Sequence, residues 1–256
     1  MDDVTVLRYR ADGVERCQDV VAEECPVALV FNGISHAVMM VTPTDLEEFA
    51  IGFALSEGIV ASLREIFDVE VSFYAASAQV DVAIAQSAFA RLKEHRRTLT
   101  GRTGCGVCGT ESLELLDLQP EKVDPSAALK VGRQALQAIL SALPQYQTLT
   151  QATGCAHAAA WCNVEGGILR VFEDVGRHNA LDKLLGWMAN EGIDGRSGLV
   201  FLTSRASYEL LRKAARRNIG VVATISAPTA LAIRIAQAAG IRLLSFCRST
   251  GFVEYI

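Results

Sequence analysis

The sequence predicts an α/β protein in two parts, a smaller mixed α+β unit over residues 1–123 and an α/β unit over residues 124–256. Three observations carry this. From Arg177 onward, stretches with helical spacing alternate with apolar runs of strand length, the pattern of strands joined by crossover helices. In the first half the strand-like runs come in adjacent pairs around one helix. Between the two rhythms, Pro120, Asp124 and Pro125 interrupt regular structure and place a boundary at 120–126.

Taken in order, residues 4–9 alternate loosely and read as an edge strand, and residues 26–32 and 36–41 flank Gly33 as a hairpin. Thr44 followed by Glu47 is a capping-box pattern. Leu46, Phe49, Ala50 and Phe53 then recur at helical spacing until Gly58, and this helix is expected to pack on the hairpin. Residues 69–74 and 79–85 read as two further strands, followed by a basic helix over 87–98. Ser126 is expected to cap a helix that runs to Leu143. Residues 158–164 and 168–172 form a second hairpin around Glu165, Gly166 and Gly167. Helices at 177–190, 207–218 and 229–239 then alternate with strands at 199–202, 221–225 and 242–246, which predicts a parallel sheet covered by helices.

Composition narrows the class. A chain of 256 residues, 50% hydrophobic and 21% charged, has the balance of an ordinary globular protein. A formal net charge of −5 argues against wholesale nucleic-acid binding. No run reaches the ~18 apolar residues of a membrane span, and the start, MDDVTVLRYR, lacks the apolar core of a secretory signal. A cytoplasmic, reducing setting is the expectation. Seven cysteines cannot all pair internally, and in such a setting a C-x-x-C motif is reactive or metal-binding rather than a structural disulfide.

That motif is Cys105–Cys108, within TGRTGCGVCGT, where Gly101, Gly104, Gly106 and Gly109 indicate a loop. Arg91, Lys93, His95, Arg96, Arg97 and Arg102 precede or enter it, and nearby cations favour the reactive thiolate. A zinc site would need two further ligands, but Cys17, Cys25, Cys155, Cys162 and Cys247 are scattered and no H-x3–5-H occurs, so no metal is expected. A thioredoxin-like motif would open a helix after a strand, with an apolar or proline interior rather than Gly106 and Val107. A loop whose nucleophilic cysteine accepts and donates sulfur as a persulfide fits the glycines better.

Three predicted strand ends carry hydroxyls: Thr203-Ser204-Arg205, Ser226-Ala227-Pro228-Thr229, and Cys247-Arg248-Ser249-Thr250-Gly251. Open α/β sheets bind ligands beyond these ends, and arginine with hydroxyls suits phosphate, although Ser, Thr and Gly are also common in plain loops. Cys155 and His157 would share one face of a strand as a Cys/His nucleophile; the alternative, a buried cysteine, is favoured. Glu173, Asp174, Arg177, His178 and Asn179 gather acids, a cation, an imidazole and an amide between a strand and a helix. Such a group could read a base or pterin edge or give acid/base help, while Asp174 alone could be a helix cap.

At the level of longer motifs, TGCGVCG at 103–109, TGCAHAAAW at 153–161 and EDVGRHNALDKLLG at 173–186 resemble the formate dehydrogenase accessory sulfurtransferases of the FdhD family. PVALVFNGISHAVMM at 26–40, DLEEFAIGFALSEGI at 45–59 and SRASYE at 204–209 do so too, so the likeness runs from about Ala22 to Phe252. The resemblance implies a sulfurtransferase that takes sulfur from an IscS-type cysteine desulfurase and passes it to the bis-molybdopterin guanine dinucleotide form of the molybdenum cofactor, for use by formate dehydrogenase. It implies Cys105 as the persulfide carrier, Cys108 as its assistant, a homodimer, and a guanine nucleotide as a mimic of the cofactor. Its cofactor-binding stretch maps onto Phe246, Cys247, Arg248, Ser249, Thr250 and Gly251. The family pattern continues there with basic residues around Pro-Gly, so a side-chain charge contact at Gly251 is lost in this chain. The resemblance also implies a cytidine-deaminase-like fold for residues 124–256. Deaminase chemistry is not implied, since His157-Ala158-Ala159 lacks the required glutamate and no Pro-Cys-x-x-Cys occurs. The alternative function is a non-catalytic cofactor chaperone whose cysteines act only as a lid.

Overall fold

The computed structural model describes residues 1–97 and 119–256. The chain opens with β1 (Asp2–Arg10) and β2 (Gly13–Val21), an antiparallel ribbon with every residue paired in register. The second strand was absent from the sequence reading because GVERCQDVV has little apolar alternation, the ribbon being largely exposed on both faces. Next come β3 (Cys25–Phe31) and β4 (Ile34–Val41), whose turn places both Asn32 and Gly33 at positive φ, 46° and 79°. Those are the angles a two-residue hairpin loop needs to match strand twist. With β5 (Ile66–Phe73) and β6 (Ala78–Ile84) they form a sheet of order β4-β3-β6-β5.

The helix α1 (Leu46–Ser56) does not use the predicted capping box: its N-cap is Asp45, in the left-handed region at φ 53°, with no side-chain cap bond. Its entry is fixed from a distance instead. Thr42 donates its N–H to Asp174 Oδ2 at 3.0 Å, and its own hydroxyl accepts the Val175 N–H at 3.1 Å. Phe49, Ala50 and Phe53 share a core with Val27, Leu29 and Phe31, so the helix does pack on the hairpin's sheet. Its other side meets α5 (Arg177–Asn190) so closely that a Cβ on Gly52 would stand 1.7 Å from the Asp182 carbonyl oxygen, and one on Gly186 1.9 Å from that of Glu48. The basic helix α2 (Gln86–Arg97) leads to the cysteine stretch. Cys105, Cys108, Arg102 and the glycines around them lie outside the described residues.

The predicted long helix from Ser126 is a short 3-10 turn, Pro125–Ala127, followed by α3 (Arg133–Ala142). Asp124 caps the turn, accepting the Ser126 N–H at 2.8 Å. After α4 (Thr148–Thr153) the main sheet begins, with β7 (His157–Cys162), β8 (Ile168–Asp174), β9 (Leu199–Leu202), β10 (Val221–Thr224), β11 (Arg242–Arg248) and β12 (Gly251–Tyr255). Its order is β12-β11-β10-β9-β7-β8. The predicted parallel sheet is therefore mixed: β9, β10 and β11 are parallel, and β7, β8 and β12 run against their neighbours. Short connections force this for β7–β8 and β11–β12, because a strand returning after a tight turn has to be antiparallel.

Alternation along these strands sorts two cores. Ala159, Trp161, Val200, Leu202 and Val222 face α5, α6 (Tyr208–Arg216) and α7 (Ala230–Ala239), whereas Ala160, Cys162, Phe201, Ala223 and Leu244 face α3. Among the described residues no helix is long and apolar enough to cross a membrane.

Candidate functional site

The mixed topology brings one edge of the main sheet into focus. The first residue of β7, the last of β8 and the ends of β9, β10 and β11 all reach it, and α5 and α6 start from it. The three hydroxyl-bearing strand ends named from sequence do lie side by side here. Ala206 and Pro228 form an isolated parallel bridge, and Thr229 donates its N–H to the Ala206 carbonyl at 3.1 Å. Phe246 N–H reaches the Ser226 carbonyl at 3.3 Å.

Within residues 246–251 the side chains divide. Phe246 sits at φ 52° and is 42% exposed, so the strand turns its ring outward at a bulge between Ser245 and Arg248. Arg248 is exposed; its guanidinium donates to the carbonyls of Ile225 and Cys247 and so straps the ends of β10 and β11 together. Cys247, in contrast, points into the core beside α3, and burial pushes its thiol up to about 11. It can offer a ligand only its backbone. Ser249 and Thr250 form the exposed turn into β12, and the Ser249 carbonyl accepts from Gln137 Nε2 at 2.7 Å.

The acid-rich stretch after β8 also divides. Glu173 caps α4, accepting the N–H groups of Leu149 and Thr150 at 2.7 and 2.9 Å. Asp174 is fully buried and takes Lys183 Nζ at 2.7 Å, with Gly176 N–H and Asn179 Nδ2 on its other oxygen at 2.8 and 2.9 Å. Asn179 donates also to the Met40 carbonyl at 2.7 Å. These three residues hold the fold. Arg177 and His178 remain at the edge, where His178 Nε2 lies 3.7 Å from Glu209 Oε2 of α6. The His178 imidazole, with the Ser207 hydroxyl and the Glu209 N–H, holds that carboxyl down at about 2 against burial. His157 has its pKa lowered, first by burial and then by the charges of Arg177, Arg205 and His178. Arg205 belongs to a strand end that the sequence reading already marked as suited to phosphate, whereas Ser207 and Glu209 carried no separate role there; their signal was their place just after that strand end.

Cysteine exposure corrects one expectation. Cys155 is exposed rather than buried: it follows Gly154, the left-handed C-cap of α4, and precedes β7. Cys25, Cys162 and Cys247 are buried, and burial pushes the Cys162 thiol up to about 12. Among the described residues no group of three His, Cys, Asp or Glu side chains could hold a metal ion. A cavity of about 390 Å³ lies elsewhere, between the C-terminal ends of α1 and α6, where Arg91 of α2 and Glu121 face Arg216.

A family model described as FdhD/NarQ matches residues 22–256. The chain belongs to the FdhD/NarQ family. It is 60% identical over 257 residues to a protein of Chromobacterium violaceum named sulfur carrier protein FdhD, covering 100% of this chain and 95% of that one. Proteins of the same name from Burkholderia cenocepacia and Acinetobacter baylyi are 57% and 53% identical, over 99% and 98% of this chain and 93% and 92% of theirs. A crystal structure from Desulfotalea psychrophila, of a protein assigned as a formate dehydrogenase accessory protein, matches with a TM-score of 0.75, covering 99% of this chain and 96% of that one. At 22% identity that likeness concerns the fold. The FdhD/NarQ match begins just after β2, so the exposed ribbon lies outside it, while the cysteine pair and the whole sheet edge lie inside.

Proposed function

We propose that this chain is a sulfur carrier for formate dehydrogenase maturation, with Cys105 as the persulfide cysteine and Cys108 as its partner. The observation that carries the reading is identity of 53–60% over nearly the whole chain to proteins named sulfur carriers. The fold narrows the choice to the Cys105–Cys108 pair, the exposed Cys155 and the half-buried Cys17. A carrier cysteine has to be accessible and able to ionise, and Cys25, Cys162 and Cys247 are buried, the last two with raised pKa values.

In the proposed reaction, the Cys105 thiolate attacks the outer sulfur of a persulfide on an IscS-type cysteine desulfurase. A new S–S bond forms at Cys105 and the donor cysteine leaves as thiolate, so no net oxidation occurs. For delivery, the Cys108 thiolate attacks Cys105 Sγ; the Cys105–Cys108 disulfide forms and the outer sulfur leaves at the sulfide level. A thiol reductant then restores the pair. The acceptor we propose is bis-molybdopterin guanine dinucleotide molybdenum cofactor, bound as substrate along the strand-end edge. Phe246 offers a ring, Arg248 a guanidinium, and residues 247–251 backbone groups. We extend the reading to a cytoplasmic homodimer.

The test is intact-mass measurement after incubation with desulfurase and cysteine. Wild type should gain one sulfur, and Cys105→Ala should not. An unchanged wild-type mass, or an undiminished adduct in Cys105→Ala, would sink the assignment.

A further inference from the structure

We propose that the N-terminus of α5, with Arg177, His157, His178 and Arg205 around it, is a second anion site that takes a phosphoryl group, separate from the strand-end loop at 246–251. The inference rests on the reading of this edge as the ligand-binding edge. It adds that an elongated ligand is held there at two places.

Charge balance is the first argument. Asp174, the acid nearest in sequence, is consumed by Lys183, Thr42, Gly176 and Asn179. Glu209 is the acid that faces the group from α6, and it is paired with His178. The guanidinium groups of Arg177 and Arg205 meet no carboxylate among the described residues. Two cations thus stand beside two imidazoles with one carboxylate to share.

Unfilled hydrogen bonds are the second argument. Arg177 Nε and His178 Nε2 are buried atoms without a hydrogen-bond partner, while the Ser207 hydroxyl is engaged by the Glu209 carboxyl. The His178–Glu209 approach of 3.7 Å is electrostatic, too long for a hydrogen bond. Buried polar groups in folded proteins nearly always find partners, so two orphans on adjacent residues at the start of α5 call for a ligand. Geometry is the third. The helix α5 runs for 14 residues from Arg177, and its N-cap, Gly176, brings no side chain to cover the first-turn N–H groups. Phosphate oxygens satisfy N–H, guanidinium and imidazole donors together.

Position supplies the ligand's shape. Sheet order places β9 two, β7 three and β8, which α5 follows, four strands from β11. At ~4.8 Å per strand, the two sites lie roughly 10–19 Å apart. That spacing suits a ligand with phosphoryl groups in two separated places, such as a dinucleotide.

Calorimetry on the full chain tests this with three probes: inorganic phosphate, guanosine diphosphate and diguanosine tetraphosphate. Phosphate should bind even when guanosine diphosphate is saturating. Arg177→Gln and Arg205→Gln should each weaken phosphate by about tenfold or more and leave guanosine diphosphate unchanged, with Arg248→Ala doing the reverse. Diguanosine tetraphosphate should bind wild type more tightly than guanosine diphosphate and lose that gain in Arg177→Gln. The exposed Arg205 keeps the test valid if Arg177→Gln perturbs folding. Phosphate affinity unchanged in both variants overturns the site, as does one-for-one displacement of phosphate by guanosine diphosphate. Phosphate binding without the dinucleotide gain overturns the shared ligand. Absence of guanosine diphosphate binding, with phosphate still sensitive to Arg177, would fail the guanine reading and leave this site standing.

Discussion

Two charged regions of this molecule are built from the same residue types and have opposite bookkeeping. Between α1, α5 and α6, every buried charge is matched: Lys183 meets Asp174 at 2.7 Å, and Lys213 meets Asp182 and Glu57 at 2.8 Å each. At the strand-end edge, Arg177 and Arg205 have no acid partner among the described residues, and the buried Arg177 Nε and His178 Nε2 lack hydrogen bonds. One region joins the two sheets; the other faces outward with donors to spare. A single heptapeptide feeds both, since Asp174 and Asn179 turn inward and Arg177 and His178 do not. Partner accounting, rather than residue type, tells the structural contact from the site.

The largest effect should come from breaking the matched region. Lys213 is almost fully buried and donates also to the Ser56 hydroxyl at 2.9 Å. Removing it in Lys213→Met leaves Asp182 and Glu57 together without their common cation. Breaking a buried pair from one side costs about 3–5 kcal/mol, to be read from urea unfolding. The double variant Asp182→Leu, Lys213→Met should recover much of that loss, because no unpaired charge is then left at Asp182. A single variant of near wild-type stability would show that water already reaches this contact, and the contrast between the regions would fall.

Sequence patterning captured what depends on periodicity and missed what depends on partners from far along the chain. The residue range of α5, the two hairpins and the alternation from Arg177 onward could all be read, because burial on one face imposes its own spacing. The start of α1 was misread. Thr44 and Glu47 have the local pattern of a cap, yet the entry is set by Asp174, 132 positions away from Thr42. Strand β2 was missed because an exposed ribbon has no buried face to write a pattern. At the edge, the hydroxyls after β9, β10 and β11 were legible as strand ends. That Cys247 turns into the core, and that Cys155 does not, depends on a bulge and a helix C-cap. Neither is a matter of composition.

An intermediate effect is expected in acid, where each region has one marker. Burial opposes ionisation of Glu57, and Lys213, Arg212 and Arg216 overcome it, holding its pKa near 2 against an ordinary 4.5. Glu209 is likewise held at about 2, chiefly by His178. A carboxyl whose pKa is lower folded than unfolded adds stability that is fully present above its unfolded value and lost as the proton binds. The loss should therefore run from about pH 4.5 down to about 2. Glu57→Gln should flatten this acid limb more than Glu209→Gln, because Glu57 has two close cations, at 2.8 and 3.0 Å, and Glu209 one imidazole at 3.7 Å. Equal flattening would mean that the edge is held together as firmly as the interior contact.

The smallest effect tests the other half of the contrast. If Arg177 and Arg205 serve a ligand rather than the fold, removing either in the empty protein should shift stability by no more than about 0.5 kcal/mol. The sign should lean toward stabilisation, since each variant relieves repulsion among Arg177, Arg205 and the two imidazoles. Thermal melts in low-salt buffer free of phosphate give the baseline. Adding phosphate should then raise the melting temperature of wild type more than that of Arg177→Gln or Arg205→Gln, because a ligand stabilises only the state that binds it. A loss of roughly 2 kcal/mol or more in the exposed Arg205→Gln would mark that guanidinium as a structural partner. The surplus of donors at this edge would then belong to the fold.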